Sequence, residues 1–422
     1  MTVSCLVNSM SAVWKWQFKA RLRARSYNWS GTALAVTRLK EAVSEIKAAA
    51  KIDPVAAGDG AVALMERLWP ALQDIDSSSG ALGSAVNRTL NELIPILIDA
   101  PADQKTRGKW LERLYQAVQD DGVQYLSPVE ERWGEIARFP DLINAYADEL
   151  LDSVRRAWAN HTSFQYVIGT DICLSCLLEA GRHTELLALL ETPRTKHWSA
   201  RKFGASALLR QGTWEEAIAY AEASRSELNP GFDGHSIDRF CEKVLIEMGR
   251  SDEAYKRYGL LAAGGGTNLT IYRSLTRAYP ERDKRQVLLD LIETRGDKGK
   301  WFAAAKDAGF LDIAIECASK HGADPSTLSR GARDFRAKDP KFASTVALLA
   351  LKSLLAGGGY DPQVSEARDA ATHLMEAAHL IGADDWARTE LEKLAYGPCS
   401  ADRMLFRNAI KLVMARAEAD QT

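Results

Sequence analysis

Cys173-Leu-Ser-Cys176 is the one CxxC spacing in this 422-residue chain, a spacing that serves redox dithiols and zinc sites. A redox dithiol wants its first cysteine at a helix N-terminus, where the helix dipole lowers the thiol pKa. Thr170-Asp171 stand where they would cap such a helix. The pair nevertheless sits among Ile172, Leu174, Leu177 and Leu178, with no strand pattern around it. Zinc would need two further ligands, and the chain has no second CxxC and no HxxxH; His183 is nearest. The expected role of both cysteines is packing at a helix interface.

The other candidate motifs fail on spacing. Asp74-Ile-Asp76-Ser-Ser78-Ser-Gly80 opens like a calcium loop, with oxygen ligands at positions one, three and five. Its glycine falls at seven where a calcium loop has it at six, and Ala85 stands at twelve where a bidentate Glu belongs. The expectation is a turn capping the next helix. Gly264-Gly-Gly266 and Gly357-Gly-Gly359 lack the Lys-Ser or Lys-Thr of a phosphate cradle. No serine lies in a GxSxG elbow, and His373 and His379 are too far apart around a helix to share a metal. The sequence therefore predicts no enzyme, no catalytic residues, no metal and no cofactor. An enzyme whose site gathers from distant helices is the remaining catalytic alternative.

Two basic stretches offer binding chemistry. Arg194, Lys196, Arg201 and Lys202 surround Trp198, and cations with an aromatic suit an interface or a stacked base. These five residues are the candidate partner-binding site. Arg330, Arg333, Arg336, Lys338 and Lys341 form the second stretch, diluted by Asp334 and Asp339. Helix surfaces commonly carry such charges with their stems over apolar neighbours, and that is the competing reading.

Bulk composition sets the bounds. Lys+Arg (54) and Asp+Glu (56) nearly cancel, so no global field draws nucleic acid or an anionic membrane. With 46% hydrophobic and 26% charged residues the chain reads as globular. No apolar run approaches the length of a membrane span. The opening MTVSCLVNSM makes a poor secretory signal, because its basic residues follow the apolar part. Six scattered cysteines suit a reducing compartment, so the expected location is cytoplasmic.

The elements that must position these residues read as helices throughout. Ser127-Pro-Val-Glu130 and Thr213-Trp-Glu-Glu216 have the capping-box pattern. Asp53-Pro54, Asp324-Pro325, Asp339-Pro340 and Asp361-Pro362 each place a side-chain acceptor before a helix-opening proline. Glycines stop helices at 181, 212, 249 and 309, spaced roughly 30 to 37 residues apart with one doubled interval broken near Tyr279-Pro280. In Gly249-Arg-Ser-Asp-Glu-Ala254 the glycine ends one helix, Ser251 or Asp252 caps the next, and Ala254 lets the two approach. Gly212 has Ala217, and Gly309 has Ala314, at the same offset. The fold predicted is all-α, an α-solenoid of helix pairs over 161–422 behind an N-terminal helical section at 1–160.

Met248-Gly-Arg-Ser-Asp-Glu-Ala-Tyr255 and Arg210-Gln-Gly-Thr-Trp-Glu-Glu-Ala217 resemble the inter-helix turn of tetratricopeptide repeats, over roughly residues 165 to 320. Unit lengths vary and the full aromatic set is not repeated, so the likeness is to a degenerate repeat. Further forward, Asp59-Gly-Ala-Val-Ala-Leu-Met-Glu-Arg-Leu68, Leu72 to Leu82 and Ala145-Tyr-Ala-Asp-Glu-Leu150 resemble a poorly characterised bacterial helical family. That family also forms the tail of some SWIM zinc-finger proteins; the SWIM cysteine and histidine pairs are absent here, so no metal is implied. The family resemblance implies helices and no established activity; the shape of stacked helix pairs leads to the expectation of a scaffold or adaptor binding another protein, with nucleic acid as the alternative partner.

Overall fold

The computed structural model describes residues 14–159, 167–191, 197–225, 233–397 and 403–419. Among them every regular element is a helix and there is no strand. No described helix is long and apolar enough to cross a membrane. The chain divides into two compact units, 1–237 and 238–422, and the predicted divide after residue 160 lies inside the first.

Three of the four Asp-Pro starts form as the residues dictate. Asp53 accepts from the amides of Val55 and Ala56, Asp324 from Thr327, and Asp339 from Phe342, each with proline in the first turn. Asp361-Pro362 does not open its helix. That helix begins at Val364 behind an extended Gln363, in the register that buries Ala367, Ala370 and Ala371. Neither capping box forms. Ser127 donates its hydroxyl to the Gln124 carbonyl, and Leu126 holds the cap position, its amide bound by the Asp121 carboxylate at 2.8 Å. Thr213 donates to the Leu208 carbonyl at the end of the preceding helix. Ser251 is already inside its helix, and the cap position belongs to Arg250, which pairs with Glu253 at 2.6 Å.

The glycine stops are the most regular feature. Gly181, Gly212, Gly249 and Gly309 all have positive φ. In each, the glycine amide bonds back three residues and the next amide bonds back five, as in Gly249→Ile246 and Arg250→Leu245. This is the Schellman closure, which satisfies carbonyls that a helix end leaves open. Gly357 and Gly382 repeat it. The residue five past the glycine is buried at five of these joints: Leu186, Ala217, Ala254, Ala314 and Ala387. One joint with a three-residue link thus recurs at five of the six stops.

A β-carbon at Gly249 would meet no atom within 4 Å, so only its φ of +75° demands glycine. Gly249→Val should therefore cost about 1–2 kcal/mol through backbone strain alone. Urea unfolding measures this, and an unchanged midpoint would show that the joint relaxes without the left-handed residue.

The first unit is built on one continuous core running from Trp16 to Ala207. At its centre the Trp133, Tyr115 and Tyr146 rings meet edge-on or tilted, with centroids 5.2 to 6.3 Å apart. Gly134 lets the short helix Trp133–Ala137 touch Thr170–Glu179, where a β-carbon would lie 2.4 Å from Cγ of Glu179. In the second unit helices pack in two alternating rows. Asn268–Ala278 packs on Phe302–Asp307, then Pro325–Phe335, Val364–Leu380 and Met404–Ala419 follow in turn. Leu311–His321, Pro340–Leu355 and Asp384–Tyr396 form the other row.

Candidate functional site

The structure leads from the predicted basic segment to a feature the sequence did not show. Arg194 and Lys196 lie outside the described residues. Trp198 opens the helix Trp198–Arg210 and is buried, its amide 3.4 Å from Asp233 Oδ2. It is a core residue and not an aromatic held out to a ligand. The Arg201 guanidinium lies over the Tyr220 ring, 4.0 Å from its centroid. Lys202 reaches the short helix Ser127–Glu131 and pairs with Glu131 at 2.6 Å. Of the described trio, each is engaged within the chain.

Lys202 there borders a group of carboxyls. Glu130 is buried with only 6% of its surface exposed, and its carboxyl is pushed up to about 7. Burial is the main cause, the negative charges of Asp171 and Asp121 add to it, and the Gly169 amide partly offsets it. Asp171, in the first turn of Thr170–Glu179, is pushed up to about 6 by burial while Lys202 pulls it down. Burial also raises Asp121, although its carboxylate accepts from Leu126 and Val123. Carboxyls that titrate near neutrality suit general acid–base work. Glu130, however, is enclosed within the fold. The capping-box pattern that Glu130 completes in the sequence does not form, and the short helix Ser127–Glu131 packs against Thr170–Glu179 with Glu130 buried.

The remaining candidates resolve as follows. Cys173 and Cys176 are fully buried, and burial pushes Cys173 up to about 12 and Cys176 higher still. The cap before them is Gly169 at φ +87°, so Thr170 and Asp171 lie inside the helix and not at its cap. A thiolate is therefore strongly disfavoured at this CxxC. In the Asp74–Gly80 loop Asp76 accepts from the Ser78 amide at 2.9 Å, an Asx turn leading into Ala81–Asp99. Among the described residues no three His, Cys, Asp or Glu side chains gather as a metal site. In the second basic stretch Arg333 pairs with Asp334 at 2.9 Å and Arg336 pairs with Glu376. Arg330 and Arg333 line an open cleft of about 420 Å³ that also holds Glu366, Asp369 and His373, so its charge is mixed.

No protein-family model matches the chain, and no curated protein matches it.

Proposed function

We propose that this protein is a non-enzymatic scaffold: a degenerate tetratricopeptide-like array of helix pairs that binds another protein along an extended surface. The repeated glycine joint carries the reading. The same closure recurs at six positions, and in the second unit the helices alternate between two rows. Stacked pairs of that kind bury a shared core while leaving a long face whose exposed side chains are free to vary. The likeness to the bacterial helical family found behind SWIM zinc fingers implies helices and no established activity, which fits this reading. Lys202, Arg333 and Arg336 are already paired with carboxylates, which weakens a phosphate-binding role for those three, since matched cations release few counterions on binding nucleic acid.

Affinity capture from the source cells, followed by chemical cross-linking, tests the proposal. Cross-links to one partner protein should spread over several successive helix pairs and survive moderate salt. Capture of nucleic acid with a steep loss in salt, or a catalytic turnover that follows the purified chain, would overturn it.

A further inference from the structure

The helix Met404–Ala419 buries one side and leaves the other as a heptad seam. Phe406, Ala409 and Ile410 face inward against Val364–Leu380 and Asp384–Tyr396. On the outer side Leu405, Asn408, Leu412, Ala415 and Ala419 are all exposed, and Leu405 and Leu412 keep 64% and 62% of their surface open. Their spacing alternates three and four residues, the a/d pattern of a coiled coil. Two isolated leucines on a surface would mean little. Two leucines one heptad apart, with small residues completing the row, form a strip on which another helix seats closely.

Two cations flank the strip. Lys411 flanks it on one side, its ammonium 4.6 Å from the Tyr396 ring, and exposed Arg416 flanks it on the other. Arg407, one turn before Lys411, is nine-tenths buried, and its Nε and Nη2 meet no hydrogen-bond acceptor. In sequence the helix carries three cations, Arg407, Lys411 and Arg416, against one acidic residue, Glu418. Flanking charges of a coiled-coil seam select the partner. We propose that this face docks an amphipathic helix of another protein, with leucine-like residues on its seam and Asp or Glu on its edges.

Two other occupants fit less well. In a parallel pairing of two copies, Lys411 of one would face Arg416 of the other, like charge against like. A lipid surface takes a broad apolar face with large anchors, whereas a strict a/d row is the narrow seam that suits a helix. The inference deepens the scaffold reading by naming a partner class. It also stands apart from it, because it concerns a single helix face.

The test uses the full chain and two labelled three-heptad peptides, both with leucine at every seam position, one with Glu and one with Lys on the edges. By fluorescence anisotropy the Glu peptide should bind at least about tenfold more tightly than the Lys peptide. Leu412→Glu should weaken the Glu peptide by at least about tenfold, and Lys411→Glu with Arg416→Glu should reverse the preference. All three positions lie on the outer face, and unchanged circular dichroism would show that each variant is folded. Equal binding of the two peptides, no binding, or indifference to Leu412→Glu would each overturn the proposal. So would a dimer in sedimentation equilibrium that Leu412→Glu dissolves, or Leu412-dependent sedimentation with phosphatidylserine vesicles. Those failures would leave cross-links along the helix pairs, and hence the scaffold reading, untouched.

Discussion

Arg107→Ala should lower the unfolding free energy of the first unit by about 4 kcal/mol, as large an effect as any single substitution here. Arg107 is 1% exposed. Its Nη1 donates to the carbonyls of Leu97 at 3.1 Å and Ile136 at 2.7 Å. Its Nη2 donates to Ile98 at 2.8 Å and to Ala100. Three of those carbonyls close the helix Ala81–Asp99, and the fourth belongs to Trp133–Ala137. A helix end has open carbonyls and a partial negative charge, so one guanidinium satisfies hydrogen bonds and dipoles together. Burial lowers the Arg107 pKa, yet a guanidinium stays charged, so the cation is held chiefly by these oxygens, with the Trp110 ring 5.9 Å away and the charge of Asp99 adding to them. Removing it strands buried acceptors, each worth about 1–3 kcal/mol before relaxation. Arg107→Lys keeps the charge but cannot span four carbonyls, and about half the loss should remain. Urea unfolding followed by Trp fluorescence measures both variants. A loss under about 1 kcal/mol for Arg107→Ala would mean that water replaces the arginine at the helix ends.

Such an arginine is invisible in the sequence, where it stands in Gln104-Lys-Thr-Arg-Gly-Lys109 like any surface cation. The features that were legible are those whose cause is local. An Asp before Pro caps its own helix within three residues, so Asp53, Asp324 and Asp339 needed no tertiary knowledge. A left-handed helix end needs glycine wherever it occurs, so the four stops were readable, and Gly382 with Ala387 carried the same signal unread. Where two local patterns compete, packing decides. Ser127 to Glu130 spells a capping box, but Leu126 takes the cap and Glu130 goes to the interior. Trp198 among cations suggests a presented surface, while its place in the first turn of its helix buries it. The pairing of Lys202 with Glu131 joins residues far apart in the chain, and no spacing rule reaches that distance.

Glu130→Gln should stabilise the protein at about pH 8 by on the order of 3 kcal/mol and leave it nearly unchanged at about pH 4. The carboxyl of Glu130 titrates near 7 in the folded chain against an ordinary value of 4.5. Below about pH 4.5 it is protonated in both states, and burial costs the wild type nothing extra. As pH rises from there to about 7, the unfolded chain releases the proton that the folded chain retains, so wild-type stability falls. Above about pH 7 the folded chain carries a buried anion beside Asp171 and Asp121, and the full penalty applies. Glutamine keeps an acceptor for the Gly169 amide but never ionises, which removes the penalty only where the wild type bears it. Asp171, near 6 against an ordinary 3.8, should add a parallel loss between about pH 4 and pH 6. Lys202 opposes that loss, so Lys202→Met should deepen it and raise Asp171 further. Urea unfolding of wild type and Glu130→Gln at about pH 4, 6 and 8 measures the effect, because titrating groups distant from Glu130 cancel in the difference, and only its neighbours Asp171 and Asp121 shift with it. A gap between the two proteins that stays constant across that range would show that Glu130 does not hold its proton in the fold.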